Sequence, residues 1–127
     1  MGVYPVTIKE AIEMTDGMKP NMYTLYDKIK WLSDLDMSIK TEIIDTHEGD
    51  AAAFVGYTPG TDVDTELLIS SPFDEIYLRW LEARIDYANA EYSKYNNSIT
   101  AYNAAFSAYE RYYNRTHMPK GKKITLF

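Results

Sequence analysis

Residues 85–113 read IDYANAEYSKYNNSITAYNAAFSAYERYY, and their apolar members recur at alternating spacings of three and four. Ile85, Ala88, Tyr92, Tyr95, Ile99, Tyr102, Phe106, Tyr109 and Tyr113 form one stripe, running over about four heptads. This phasing predicts a long helix, or two helices in phase, packed along one seam. The seam is built from tyrosines, where an ordinary coiled coil uses Leu, Ile and Val. Tyrosine buries a large ring but needs a partner for its hydroxyl, so tyrosine-rich surfaces sit half-wet, at interfaces. Tyr102, Tyr109 and Tyr113, with the adjoining Tyr112, are therefore candidate subunit-interface residues. Tyr112 points off the stripe, so it is not expected to share one intramolecular surface with Tyr113. The stripe keeps its phase through Asn96-Asn97-Ser98, which favours a kink or no break there over a sharp turn.

Outward from this stretch, three helix starts carry capping signals. Thr7-Ile8-Lys9-Glu10 is a capping box, in which the Thr hydroxyl and the Glu carboxylate satisfy each other's free backbone donors. It opens a short helix from Ile8 to about Asp16, stopped by Gly17 and Pro20. Thr24-Leu25-Tyr26-Asp27 opens a second helix, from Leu25 to Thr46, ending before Gly49. Ser71-Pro72-Phe73-Asp74 places Pro at a first helical position and starts the third at Pro72. Between the second and third lies Glu48 to Ser70, where Ala53–Tyr57 and Thr65–Ile69 are expected to pair as a small hairpin across Thr58-Pro59-Gly60. Loops of this length often carry function. Met118-Pro119 ends the last helix. The fold class is mainly α: a helical bundle of one domain, residues 1–119, followed by an extended basic and apolar tail, residues 120–127.

Charge is uneven. Residues 1–108 hold eight Lys/Arg against eighteen Asp/Glu, a net of −10, whereas residues 109–127 hold five against Glu110 alone, a net of +4. Arg111, Arg115, Lys120, Lys122 and Lys123, with the apolar Ile124, Leu126 and Phe127, make the C-terminal segment a candidate docking element. Two charges fall inside apolar faces. Asp36 interrupts the face made by Leu25, Ile29, Leu32, Ile39 and Ile43, with Leu35 at its edge. Arg84 interrupts the face made by Phe73, Tyr77, Leu81 and Ala88, with Trp80 beside it. A charge in such a face must be paired, or must meet water or a partner, so Asp36 and Arg84 are expected to form a buried ion pair.

Signatures of chemistry are missing. There is no Cys, no glycine-rich phosphate loop after a strand, no G-x-S-x-G and no H-E-x-x-H. His47 and His117 each sit near a helix end, where the dipole favours them. Asp34 and Asp45 lie on a polar helix face. Asp62-Val63-Asp64 opens like a calcium loop, but the Gly and distal Glu of such a loop do not follow. No enzyme activity, metal or cofactor is expected. Met1–Ile12 lacks a basic start followed by an apolar run, so the Asn-x-Ser/Thr tripeptides at Asn96 and Asn114 read as chance matches. No apolar stretch is long enough for a bilayer, and a soluble intracellular protein is expected.

The runs Glu66-Leu67-Leu68, Pro72-Phe73-Asp74-Glu75-Ile76-Tyr77-Leu78, Trp80-Leu81-Glu82, Ile85-Asp86-Tyr87 and Tyr95-Asn96-Asn97-Ser98, with the closing Tyr112-Tyr113-Asn114-Arg115-Thr116-His117-Met118-Pro119, give the chain a family likeness. Across residues 7–119 it resembles small virion proteins of tailed phages and prophages of Gram-positive bacteria, the head–tail connector or adaptor group. The resemblance implies a mostly helical protein that forms a dodecameric ring beneath the portal. Such a ring extends the DNA channel, encloses DNA without sequence-specific binding and seats head-closure or tail-terminator proteins. The implied location is the virion neck, after assembly in the host cytoplasm. An acidic wall suits a conduit that must not grip phosphates. The rival reading is a small DNA-binding or regulatory protein using the basic segment from Arg111 to Lys123.

Overall fold

The computed structural model describes residues 4–49 and 52–121. Four helices make up the fold: α1 (Ile8–Met18), α2 (Leu25–Glu42), α3 (Glu75–Ala88) and α4 (Tyr92–Thr116), with a 3₁₀ turn at Ile44–Thr46 after α2. The protein is mainly α, and the described residues hold no β-strand.

Both threonine caps form as the sequence predicts. Thr7 accepts from Glu10 N and Thr24 from Asp27 N, and each acidic side chain returns the bond to the cap's own N–H. Gly17 does not stop α1, which runs one residue past it. The second helix tightens to 3₁₀ geometry before Thr46, and α3 begins at Glu75, three residues later than Pro72.

The tyrosine stripe does not follow one seam. It folds back on itself at Asn89-Ala90-Glu91, and α4 returns antiparallel along α3, so that Phe73 meets Tyr109, Trp80 meets Tyr102 and Asp86 meets Ser98. The reversal is a Schellman cap: Glu91 N–H donates to Asp86 O and Ala90 N–H to Tyr87 O. Ala90 holds the left-handed position (φ 58°) that Gly usually takes, which is why the sequence carries no stop signal there. Asn96-Asn97-Ser98 lies inside α4, unbroken. The Ser98 hydroxyl contacts both Asp86 and Lys94 O, which occupies a side chain that elsewhere favours turns.

The expected hairpin is absent. Thr65–Leu67 instead joins the extended residues before α1: Ile8 N donates to Thr65 O at 3.0 Å and Leu67 N to Val6 O at 2.8 Å. Extended backbone at the Thr7 cap supplies a partner that the 53–57 run does not, because that run is held against α2.

α3 is the central element. Helices α1, α2 and α4 all pack on it, burying Ile76, Tyr77, Leu78, Leu81, Ala83, Ile85 and Asp86. Ile29, Leu32, Leu35 and Ile39 of α2, with Ile43 just after it, join the same core, and Ile8, Ala11 and Ile12 of α1 complete it. Each such Leu or Ile contributes about 1.5–3 kcal/mol by leaving water. Leu25 and Ala88, expected in the core, are exposed because each sits at a helix end. At that same end of the bundle, Lys19 Nζ lies 2.6 Å from the buried carboxylate of Asp86, and Tyr23 donates to Asn89 Oδ1 at 2.6 Å. These bonds tie the α1–α2 turn to the α3–α4 turn. Replacing Asp86 with Ala is expected to cost about 2–3 kcal/mol, read by urea melts, whereas Lys19→Ala, whose side chain is partly in water, is expected to cost less.

Candidate functional site

Asp36, expected to pair with Arg84, does not. Its side chain is fully enclosed and accepts from three donors: Tyr77 Oη at 2.7 Å, Tyr57 Oη in a short hydrogen bond, and Leu68 N at 3.1 Å. Tyr77 Oη in turn accepts from Ile69 N at 2.8 Å. One carboxylate on α2 thus anchors both ends of the 57–69 segment and binds it to α3. The segment comes in close because residue 56 is glycine: a Cβ there would lie 2.7 Å from Ser33 Oγ, and φ is +93°. Ser33 Oγ then accepts from Tyr57 N at 2.9 Å. Two tyrosine hydroxyls supply what the ion pair was expected to supply, and they do so without burying a second charge.

Arg84 goes elsewhere. Its guanidinium carbon lies 5.9, 5.6 and 5.5 Å from the ring centres of Trp31, Trp80 and Tyr87. Trp80 Nε1 donates to the backbone carbonyl of Trp31 at 2.7 Å, which fixes the Trp80 indole against α2.

The aromatic residues of α4 line one long, half-buried row. Trp80 and Tyr102 lie 4.9 Å apart, and Phe73 stands 5.7 Å from Tyr109 and 4.6 Å from Tyr112. Tyr112 and Tyr113, expected not to share an intramolecular surface, both pack against the core. They reach different parts of it: Tyr112 covers Phe73, while Tyr113 meets His47 edge-on at 4.8 Å and stacks on His117 at 3.7 Å. Burial pushes the hydroxyls of Tyr102 and Tyr109 up to about 12, with no hydrogen bond to either contributing. A cleft of about 170 Å³ opens beside this row, lined by Leu68, Ser70, Phe73, Tyr109, Tyr112 and Tyr113 among others.

His47 closes the far end. Nδ1–H donates to Ile43 O at 2.6 Å, and Nε2 lies 2.7 Å from the side-chain amide of Asn114. Beside it, residues 118–120 run antiparallel to 46–48: Glu48 N donates to Met118 O and Lys120 N to Thr46 O, both at 2.7 Å. The chain beyond α4 is therefore pinned to the body as far as Lys120. Arg111, Arg115 and Lys120 are exposed. Lys122, Lys123, Ile124, Leu126 and Phe127 lie outside the described residues.

No group of three or more His, Cys, Asp or Glu among the described residues could hold a metal ion. No described helix is long and apolar enough to cross a membrane. No protein-family model, curated protein or solved structure matches this chain.

Burial raises the Asp36 carboxyl above its ordinary 3.8, against the opposing pull of its bonds from Tyr57, Tyr77 and Leu68 N. A folded-state value above the unfolded one means that the folded protein binds the proton more tightly. The stabilisation linked to this proton is full below the unfolded value and is lost as pH rises through the folded one. Asp36→Asn does not titrate. Urea melts from pH 3 upward should show wild type losing stability relative to Asp36→Asn as pH rises through the folded-state value. Parallel curves would contradict this. Asp36→Ala, which strands two hydroxyls and an amide, is expected to cost about 3–5 kcal/mol.

Proposed function

We propose that this chain is a head–tail connector: a structural subunit that assembles as a ring under a phage portal, extends the DNA channel and seats the next protein of the neck. The observation that carries the reading is the placement of α4. At 25 residues it is the longest helix, only Tyr109 on it is buried, and it lies along the outside of α3. A helix of that length extends roughly 37 Å, enough to serve as the side wall between neighbouring subunits. Tyr102, Tyr112 and Tyr113 hold their rings half against the core, a disposition common at subunit contacts. The family likeness of residues 7–119 supports the same reading.

Charge fits as well. With a formal net charge of −6, the body repels phosphates, which lets DNA slide past rather than bind. The antiparallel pairing of 118–120 with 46–48 fixes the point from which the basic C-terminal residues depart. Docking then belongs to Arg111, Arg115 and Lys120 together with the residues that follow.

Mixed with its cognate portal, the protein is expected to co-purify as a stoichiometric ring while remaining monomeric or weakly associated alone. Removal of the residues after Gly121 preserves the pairing to 46–48, so the melting temperature should stay nearly unchanged while ring incorporation is lost. Absence of binding to the portal at high concentration and low salt would defeat the connector reading. A DNA mobility shift at moderate salt in its place would support a regulator using Arg111 to Lys123.

A further inference from the structure

Arg84 is a cation for which the fold provides rings but no carboxylate. It stands on α3, partly buried, with Trp31 of α2, Trp80 and Tyr87 around it at 5.5–5.9 Å. Its Nε is shut off from solvent and has no hydrogen-bond partner. The two terminal nitrogens are not sealed in the same way, and no carboxylate among the described residues forms an ion pair with them. The acids near it in the sequence are engaged elsewhere. Asp86 holds Lys19 and Ser98, Glu82 holds Arg79, and Glu91 holds Lys94.

Such a guanidinium has its position fixed by the rings and its outward donors unspent. Attraction by the ring faces keeps the cation in place, and the planar fork matches a carboxylate in two parallel hydrogen bonds. Trp, Tyr and Arg are also the residues that dominate binding energy at protein interfaces. Exposed apolar surface adjoins the site. Tyr87 is 50% exposed, and the neighbouring end of the bundle bares Tyr92 and, on the α1–α2 turn that Tyr23 and Lys19 bind to it, Met22 at 91%.

We infer that Arg84, held by Trp31, Trp80 and Tyr87, is a docking site for an Asp or Glu side chain of a partner protein. The acidic body argues for a single carboxylate presented from a protein rather than a polyphosphate, because a polyanion would meet repulsion from the rest of the surface. The inference stands independently of the connector reading: it concerns the α2–α3 face and the adjoining end of the bundle, not the C-terminal segment or the Tyr102–Tyr113 row.

The test is an NMR titration of ¹⁵N-labelled protein with a capped glutamine peptide carrying one central Glu, using the all-glutamine peptide and inorganic phosphate as controls. The Arg84 Nε–H and the indole N–H groups of Trp31 and Trp80 report directly on the site. Saturable shifts of these resonances are expected with the single-Glu peptide, with affinity at least about tenfold weaker for the all-glutamine peptide. Arg84→Gln should abolish them while the Trp80 indole keeps the shift of a bonded donor. If Arg84→Gln fails to fold, Arg84→Lys serves, keeping charge without the fork and weakening the response. Unmoved resonances at saturating peptide would overturn the inference. So would an equal response to phosphate, or shifts confined to Arg111, Arg115 and Lys120.

Discussion

A single carboxylate, Asp36, holds together parts of the chain that have no regular secondary structure to unite them. The segment from Gly56 to Ile69 has neither helix nor strand, yet it crosses the body of the protein and must satisfy its backbone there. Asp36 anchors both ends of the segment from one point on α2. It takes the hydroxyls of Tyr57 and Tyr77 and the amide of Leu68, and Tyr77 passes a further bond to Ile69. With these bonds in place, Leu67 and Ile69 enter the core, and Thr65–Leu67 lies where the residues before α1 can pair with it. The position of α1 therefore depends on a side chain of α2 acting through a loop.

That arrangement separates the stability of the body from the surfaces it presents. α3 is covered on several sides and carries little that is free. α4 and the 118–120 segment, laid on the outside, carry the half-buried tyrosines and the exposed arginines. A connector subunit, as proposed, would use this division, in which the centre holds an outer helix in place. Arg84 follows the same logic on α3, where a cation is positioned by rings and makes no ion pair among the described residues.

Much of the helical framework was legible in the residues. The Thr7–Glu10 and Thr24–Asp27 boxes marked two helix starts to the residue, because capping is a local interaction that needs no tertiary information. The spacing of three and four found α4 and its half-buried row. The reversal at Ala90 was hidden, since a Schellman cap built on alanine has no glycine to announce it, and the stripe keeps its phase on both sides. The Asp36–Arg84 pairing failed for a different reason. The requirement that each charge be satisfied was sound, but tyrosine hydroxyls and indole faces met it, and nothing in the spacing of Tyr57 from Asp36 reveals that contact. The pairing of Thr65–Leu67 with Val6–Ile8 spans some sixty positions and is set by the folded body, not by a turn. Lys120 illustrates the same limit, reading as the start of a tail while its amide is bonded to Thr46.

Amide hydrogen exchange at Leu68 and Ile69 addresses the role of Asp36 directly. Both residues lie outside any helix, and a loop without such anchorage exchanges at nearly the rate of an unfolded chain. Protection of these two amides approaching that of the α3 core is the result the Asp36 anchor predicts. Exchange at open-loop rates, with α3 still protected, would show that the segment is not anchored there and would contradict an Asp36 anchor.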